Sequence, residues 1–281
     1  MLLGEARQTH LANTKSLRAA QVNPNFRVME QEEIHGIDAF VQQAIAATNG
    51  LMYRSIIGKL TEYPIPKLIL PKGDGDCFLD IGCNWGRWSI AAAKLGYKAV
   101  GIDPSLDAIC AAYRVARKLG VEAYYLVGDA RFLPFADQSL DLVFSYSVFQ
   151  HFNKTDAKSS LKEIRRILKD GGKSLIQMPN AFGPRSLYNQ MRRGFRTAKD
   201  FEVRYWTLPE LKETFSTFIG PSQLSVDGYF SLNPQSSEAH LLPWRYRAVV
   251  KVSDRIRRLS NKLKVLTYFA DSVYVSSLKF R

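Results

Sequence analysis

From Cys77 onward, short apolar runs alternate with amphipathic ones. Cys77–Ile81, Lys98–Ile102, Ala123–Val127, Leu140–Ser145 and Lys173–Met178 read as strands. Between them, helical spacing runs from Arg87 to Leu95, from about Pro104 to Leu119, and from Thr155 to Leu168. Gly96-Tyr97, Gly120 and Asp170-Gly171-Gly172 punctuate the pattern. Apolar strands separated by helices predict a doubly wound α/β fold with a parallel sheet covered on both faces. Right-handed crossovers bring the C-terminal ends of these strands to one edge, where such sheets bind ligands.

The flanking regions are patterned differently. Residues 1–30 are polar and predict a loose arm. Ile34, Ile37, Val41, Ala44 and Ile45 recur at helical spacing, and Asn49-Gly50 ends that helix. Met52, Ile56, Ile57 and Leu60 predict a second one. Pro64, Pro66 and Pro71 mark an extended segment before the Lys72-Gly73-Asp74-Gly75 turn. Beyond Pro179, residues 181–206 read as a basic loop. Thr207-Leu208-Pro209-Glu210 then opens a helix to Phe218. Leu224–Phe230 and Ser272–Phe280 predict the last two strands, with a helix over 243–266 between them. The expected organisation is an arm with cap helices over 1–72 and a main domain over 73–281. Within that domain, 181–206 forms a lid and 231–271 an insertion.

Candidate chemistry lies where the strands end. Gly82 and Gly86 bracket the first βα turn, where glycine permits a tight bend and close approach to a ligand. The helix that follows aims its N-terminal amides at the same place. Asp103 closes the second strand, where a carboxylate can accept both hydroxyls of a ribose; capping the next helix is the structural alternative. Asp129-Ala130 follows the third strand, where a carboxylate can accept from an adenine amino group, with Phe132 and Leu133 beside the purine. Ser145, Tyr146, Gln150 and His151 follow the fourth strand and are expected to face the reaction space.

In order and spacing these segments resemble the class I S-adenosylmethionine-dependent methyltransferases, in particular the small-molecule group that includes ubiquinone and menaquinone biosynthesis enzymes. The matching stretches are LDIGCNWGR (79–87), GIDPS (101–105), GDARFLPFADQSLDLVFSYSVFQHF (128–152) and LKEIRRILKDGGK (161–173). The resemblance implies a mostly parallel seven-stranded sheet whose last strand runs antiparallel between the fifth and sixth. It also implies S-adenosylmethionine as cofactor, with Gly82 and Gly86 at its methionine end, Asp103 on the ribose, and Asp129 and Ala130 at the adenine. Asp80, Asn84, Pro104 and Ser145 complete the candidate cofactor set. Asn84 departs from the family, which usually has glycine there; asparagine tolerates the left-handed backbone such a turn needs. Trp85 is expected to narrow the methionine pocket or to wall the acceptor site. The stretch 179–196 with 201–211 resembles, more weakly, methyltransferases of bacterial surface-polysaccharide pathways. That implies a sugar or lipid-linked acceptor, beside the small-molecule acceptor implied by the quinone-biosynthesis resemblance.

Composition refines the picture. A formal net charge of +13 favours an anionic partner (nucleic acid, a phosphorylated substrate or an anionic membrane), although a solvated basic surface also accounts for it. Three irregularly spaced cysteines argue against a disulfide framework and fit a cytoplasmic protein. The N-terminus lacks a signal-peptide core, and no apolar run approaches the ~20 residues that span a bilayer. No His/Cys/carboxylate group has metal-ligand spacing, so a metal-independent enzyme is expected. A hydroxyl acceptor would need a base; His151 and Tyr146 are the candidates, with a structural role for His151 as the alternative. A nicotinamide-dependent dehydrogenase would want a G-x-G-x-x-G turn, and the turn here is Gly-x-x-x-Gly. An RNA methyltransferase stays open on charge alone, without an aromatic RNA platform in the sequence. Along 244–266, Val249, Val252, Ile256, Leu259, Leu263 and Leu266 form one stripe, with eight Lys and Arg on the other faces. Either this helix packs its stripe on its own domain, or it docks peripherally on an anionic membrane.

Overall fold

The computed structural model describes residues 33–34 and 36–280; the arm expected over 1–30 lies outside them. Apart from two two-residue strands before Ala39, the strands of the described residues are β1 (Cys77–Ile81), β2 (Lys98–Asp103), β3 (Tyr124–Val127), β4 (Leu140–Ser145), β5 (Leu168–Pro179), β6 (Ser222–Gly228) and β7 (Ser272–Leu278). They form one sheet in the order β3-β2-β1-β4-β5-β7-β6. β3 to β5 pair in parallel, and β7 runs antiparallel between β5 and β6, as the sequence reading expects.

The helices are α1 (Ala39–Thr48), α2 (Arg87–Lys94), α3 (Leu106–Lys118), α4 (Lys154–Ile167), α5 (Pro184–Arg192), α6 (Leu208–Phe218) and α7 (Trp244–Ser260), together with a single turn at Leu51–Arg54. Their ends follow local chemistry. Asp38 caps α1 by accepting from Phe40 N and Val41 N, Asn153 caps α4 by accepting from Asp156 N, and Thr207 caps α6 by accepting from Glu210 N. One core forms where α4 and α6 cover the sheet, with Leu161, Ile164, Leu211 and Phe215 against Val143, Ile176 and Val275. A second joins α1 and α3 through Val41, Ile45, Ala111 and Val115.

Several elements depart from the sequence reading. The second N-terminal helix shrinks to the turn at Leu51–Arg54. Its apolar residues are shared between two sides, with Ile56 and Leu60 buried and Ile57 exposed. β5 starts at Leu168, five residues early, and a bulge against β4 absorbs the Asp170-Gly171-Gly172 stretch. Residues 184–192, expected as loop, form α5; Pro184 sits in its first turn and only Ser186 is buried, so no apolar stripe announced it. α7 ends at Ser260, and a 3₁₀ segment over Lys264–Phe269 takes up the rest.

Candidate functional site

The β1–α2 turn is built on left-handed backbone: Gly82, Asn84 and Gly86 have φ of +72°, +46° and +81°. Asn84 therefore adopts the conformation expected of it. The turn folds over β2, with Gly82 N and Cys83 N both donating to the Ile102 carbonyl at 2.7 and 3.1 Å. The two glycines serve packing. A Cβ on Gly82 would overlap the Val148 side chain beyond β4, and one on Gly86 would run into the Tyr125 hydroxyl and Ala112. Gly86 thus lets α2 settle against β3 and α3.

Two carboxylates lie beneath this turn on neighbouring strands. Asp103, the last residue of β2, is 9% exposed. Its Oδ2 accepts from Asn84 N and its Oδ1 from Ser105 N, both at 3.0 Å. Burial raises its pKa against those two bonds. The α3 cap is Ser105, which accepts from Ala108 N, so Asp103 joins the turn to the helix start without being the cap. Pro104 between them is exposed.

Asp80 is buried within β1. Its Oδ2 accepts from Ser89 N at 3.0 Å and Ser89 Oγ at 2.7 Å. The first-turn amide of Ser89 is therefore spent on Asp80 and does not point at a ligand. Asp80 Oδ1 has no hydrogen-bond partner, and neither does the buried Tyr125 hydroxyl. Burial pushes the Asp80 carboxyl up to about 7, with the nearby Asp103 charge adding to the rise.

Asp129 lies two residues beyond β3 and is half-exposed. Arg131 grips it: Nη2 meets Oδ2 at 2.6 Å and Nε meets Oδ1 at 3.0 Å. The guanidinium holds Asp129 below the usual carboxylate range and reaches on to Asp156. Ala130 and Leu133 are buried, and Phe132 is exposed. Three acids thus mark the ends of three adjacent strands in a strongly basic chain.

Of the four residues expected to face the reaction space, Ser145 and Tyr146 are buried, and Gln150 and His151 are half-exposed. Ser145 is fully buried, and its hydroxyl donates to the Ile81 carbonyl at 2.9 Å, tying β4 to β1. Tyr146 is buried against Trp88; its hydroxyl donates to Asp227 Oδ2 at 3.3 Å and accepts from Gln235 at 3.0 Å. Burial drives the Tyr146 pKa far up, which keeps the phenol neutral. His151 closes a 3₁₀ turn with both ring nitrogens engaged: Nδ1 lies 2.7 Å from the Phe201 carbonyl, and Nε2 lies 3.2 Å from the Gln150 amide. Nδ1 therefore carries the proton, and burial lowers the pKa of the ring.

The 181–206 segment leaves β5 at the C-terminal edge of the sheet and folds back over this turn. Arg204 Nη1 donates to the His151 carbonyl at 2.7 Å, and Arg204 N donates to the Gln150 carbonyl at 2.8 Å. Tyr188 is exposed, with Arg185 and Arg192 over its ring. Arg193 stacks on Tyr205 and donates to the Val203 carbonyl. Trp206 is buried at the foot of the segment.

Trp85 is 0% exposed and walls neither the methionine pocket nor the acceptor site from an open position. It is fully buried among Val41, Ile45 and Tyr53, and its Nε1 donates to Asn49 Oδ1 at 3.2 Å. Thr48 Oγ1 reaches Asn84 at 3.4 Å, so the C-terminal end of α1 lies beside the turn. One anchor has no counterpart in the sequence reading. Arg87 and Glu238, both buried, form a 2.9 Å ion pair, and Tyr53 donates to the other Glu238 oxygen at 2.7 Å. This binds the 231–271 insertion to the first helix of the turn. Residues 231–240 carry no periodic signal that would have marked Glu238. A separate cavity of about 530 Å³ opens on the sheet face between Leu68–Leu70, Asp227 and α7, and the β1, β2 and β3 turns do not line it. Among the described residues, no group of three or more His, Cys, Asp or Glu is arranged to hold a metal ion.

Comparison with known proteins follows the same outline. A methyltransferase domain model matches residues 78–172. The demethylmenaquinone methyltransferase of Bacillus cytotoxicus is 30% identical over 164 residues, which cover 54% of this chain and 67% of that protein. The uncharacterized methyltransferase YcgJ of Bacillus subtilis is 30% identical over 99 residues, 35% of this chain and 38% of its own. The crystal structure of YcgJ superposes with a TM-score of 0.51 at 19% identity, covering 74% of this chain and 93% of that one, so the fold is shared. The chain spans less than half the length of the first three curated relatives it matches.

Proposed function

The chain belongs to the class I S-adenosylmethionine-dependent methyltransferases, and we propose that it binds S-adenosylmethionine along the β1–β2–β3 edge and methylates a small-molecule, saccharide or lipid-linked acceptor. When bound, that cofactor supplies an activated methyl group on a sulfonium centre. The residues present fit it. Each Asp103 oxygen accepts one backbone N–H and keeps acceptor capacity, enough for a pair of ribose hydroxyls. Asp80 Oδ1, buried without a donor, is the site for a cationic amino group. Asp129 offers its remaining acceptor capacity beside Arg131. This row of carboxylates is the observation that carries the reading, because it complements a cation in a chain of opposite overall charge.

The rest of the chain aligns the reactants and excludes water. The Thr48 and Asn49 end of α1 shields one side of the turn, and the 181–206 segment shields the reaction side. Tyr146 and His151 act as positioning residues. Their polar atoms are held by Asp227 and Gln235 in one case, and by Gln150 and Phe201 in the other.

A labelled-methyl transfer assay on extracted small-metabolite, lipid, glycan and RNA fractions tests the reading. Label should enter the small-metabolite, lipid or glycan fraction and disappear with Asp103→Ala. Label confined to RNA would overturn the acceptor assignment, and no transfer to any fraction by a chain that binds the cofactor would overturn the activity.

A further inference from the structure

α7 packs on the domain mainly with a face beside its apolar stripe, although Ile256 of that stripe is half-buried against the core. Tyr246, Val250, Ser253 and Ser260 turn inward, with Val250 in the α1–α3 core and Ser253 bonded to both Tyr229 N and Tyr229 O. The half-buried Asp254–Arg257 pair, at 2.6 Å, lies beside that face. The stripe of Val249, Val252 and Leu259 is left exposed, and Leu263 continues it past the helix end. Beside it runs a second exposed row: Lys251, Arg255, Arg258 and Lys262. With the half-buried Ile256 counted in the first, both rows advance by alternating steps of three and four, so they lie parallel along the helix. Trp244, 71% exposed, stands at the N-terminal end of the basic row. At the other end, Val265, Tyr268 and Phe269 are exposed as well. The Tyr268 carbonyl accepts from Asn180, the residue after β5, which brings this surface up to the C-terminal edge of the sheet.

We propose that α7 and the 264–269 segment form a docking surface for an anionic lipid bilayer. The apolar row would sit at the acyl boundary and the basic row among the headgroups. An aliphatic row alongside a cationic one matches an interface that is apolar on one side and negative on the other. Nucleic acid would use the cations and leave Val252, Leu259 and Leu263 without a partner. A second copy docked stripe to stripe would bring two basic rows together. Among the described residues no helix is long and apolar enough to cross a membrane, so contact through this face is peripheral. The surface shares no residue with the carboxylate edge, and its test needs no methyl transfer.

The test uses the full chain with vesicles of phosphatidylcholine, with and without phosphatidylglycerol. Trp244 is a built-in probe, because the other three tryptophans, Trp85, Trp88 and Trp206, are buried. The chain should sediment with the anionic vesicles and detach as salt rises, and its emission should shift to the blue on binding. The charge reversals Lys251→Glu and Lys262→Glu together should weaken binding by about twentyfold or more. Val252→Gln with Leu259→Gln keeps the charge and should weaken it by about fivefold or more. Thermal melts check that each variant folds. No sedimentation at low salt overturns the proposal. So does binding that ignores the glutamine pair while a single-stranded RNA oligonucleotide competes it away, which would make the surface one for nucleic acid.

Discussion

Helices α3 and α7 each carry a small or apolar stripe, and they use it in opposite ways. α3 turns Ala108, Ala111, Ala112, Val115 and Ala116 inward and starts on the Ser105 cap beside Asp103. α7 buries Val250, Ser253 and Ser260, keeps Ile256 half-buried, and leaves Val249, Val252 and Leu259 in solvent. The same contrast separates the two halves of the sheet. Around β1 to β3 the small side chains let helix and strand approach closely, and Asp103 is held by backbone amides while Asp80 Oδ1 and the Tyr125 hydroxyl are left without partners. Around β5 to β7 the added elements are tied down by a few buried ion pairs and carboxylates, such as Arg87–Glu238 and Asp271, and present exposed aromatics and arginines. On the function proposed above, the first half would hold the cofactor and the second would meet the acceptor.

The largest expected effect breaks the first half. Trp85→Ala removes the side chain joining α1 to the turn and should cost about 3–5 kcal/mol, the range for emptying a buried aromatic site. The urea midpoint measures it; a loss below about 1 kcal/mol would show that α1 is not anchored through Trp85.

Next comes the pH response of Asp80. Its folded pKa of about 7 lies above the ordinary carboxylate value of 3.8. The group therefore contributes most to stability below about pH 4, and that contribution is lost as pH rises toward about 7. A cationic ligand favours the ionised form, so S-adenosylmethionine affinity should climb several-fold between about pH 6 and pH 8. Asp80→Asn should flatten both profiles while keeping the bonds to Ser89. An unchanged affinity profile in that variant would remove Asp80 from the cofactor site.

The smallest effect sharpens the second half. Arg192→Gln, on the exposed face of α5, should raise the acceptor KM a few-fold, about 1 kcal/mol, and leave cofactor affinity alone. Arg193 is a poorer probe because it braces Val203 and Tyr205. A drop in cofactor affinity with acceptor kinetics untouched would contradict the lid assignment.

What could be read from the sequence follows the same division. The central strands and the Gly82–Gly86 turn were legible because burial on both faces leaves apolar runs and glycine punctuation, whereas the antiparallel place of the last strand came from the family resemblance. Asp103 was legible by position, at a strand end where a carboxylate has no core to enter. Ser145 misled, since a serine at the end of a strand looks like a site residue, and only the β1–β4 pairing shows its hydroxyl capping Ile81. Tyr146 misled in the same way, because its partners Asp227 and Gln235 lie some 80 to 90 residues away. α5 was missed because its packing rests on Ser186 and Asp271 instead of a stripe. In α7 the periodicity revealed the stripe correctly but not its direction. Val250, Ser253 and Ser260 are smaller and fit closer to the sheet than the aliphatic row would.

Calorimetric titration of S-adenosylmethionine into the purified chain tests the carboxylate edge most directly. The account predicts one site per chain, with Asp103→Ala weakening binding by ~1.5–3 kcal/mol while the melting curve keeps its cooperative form. Equal affinity in the two proteins, with the variant folded, would contradict it.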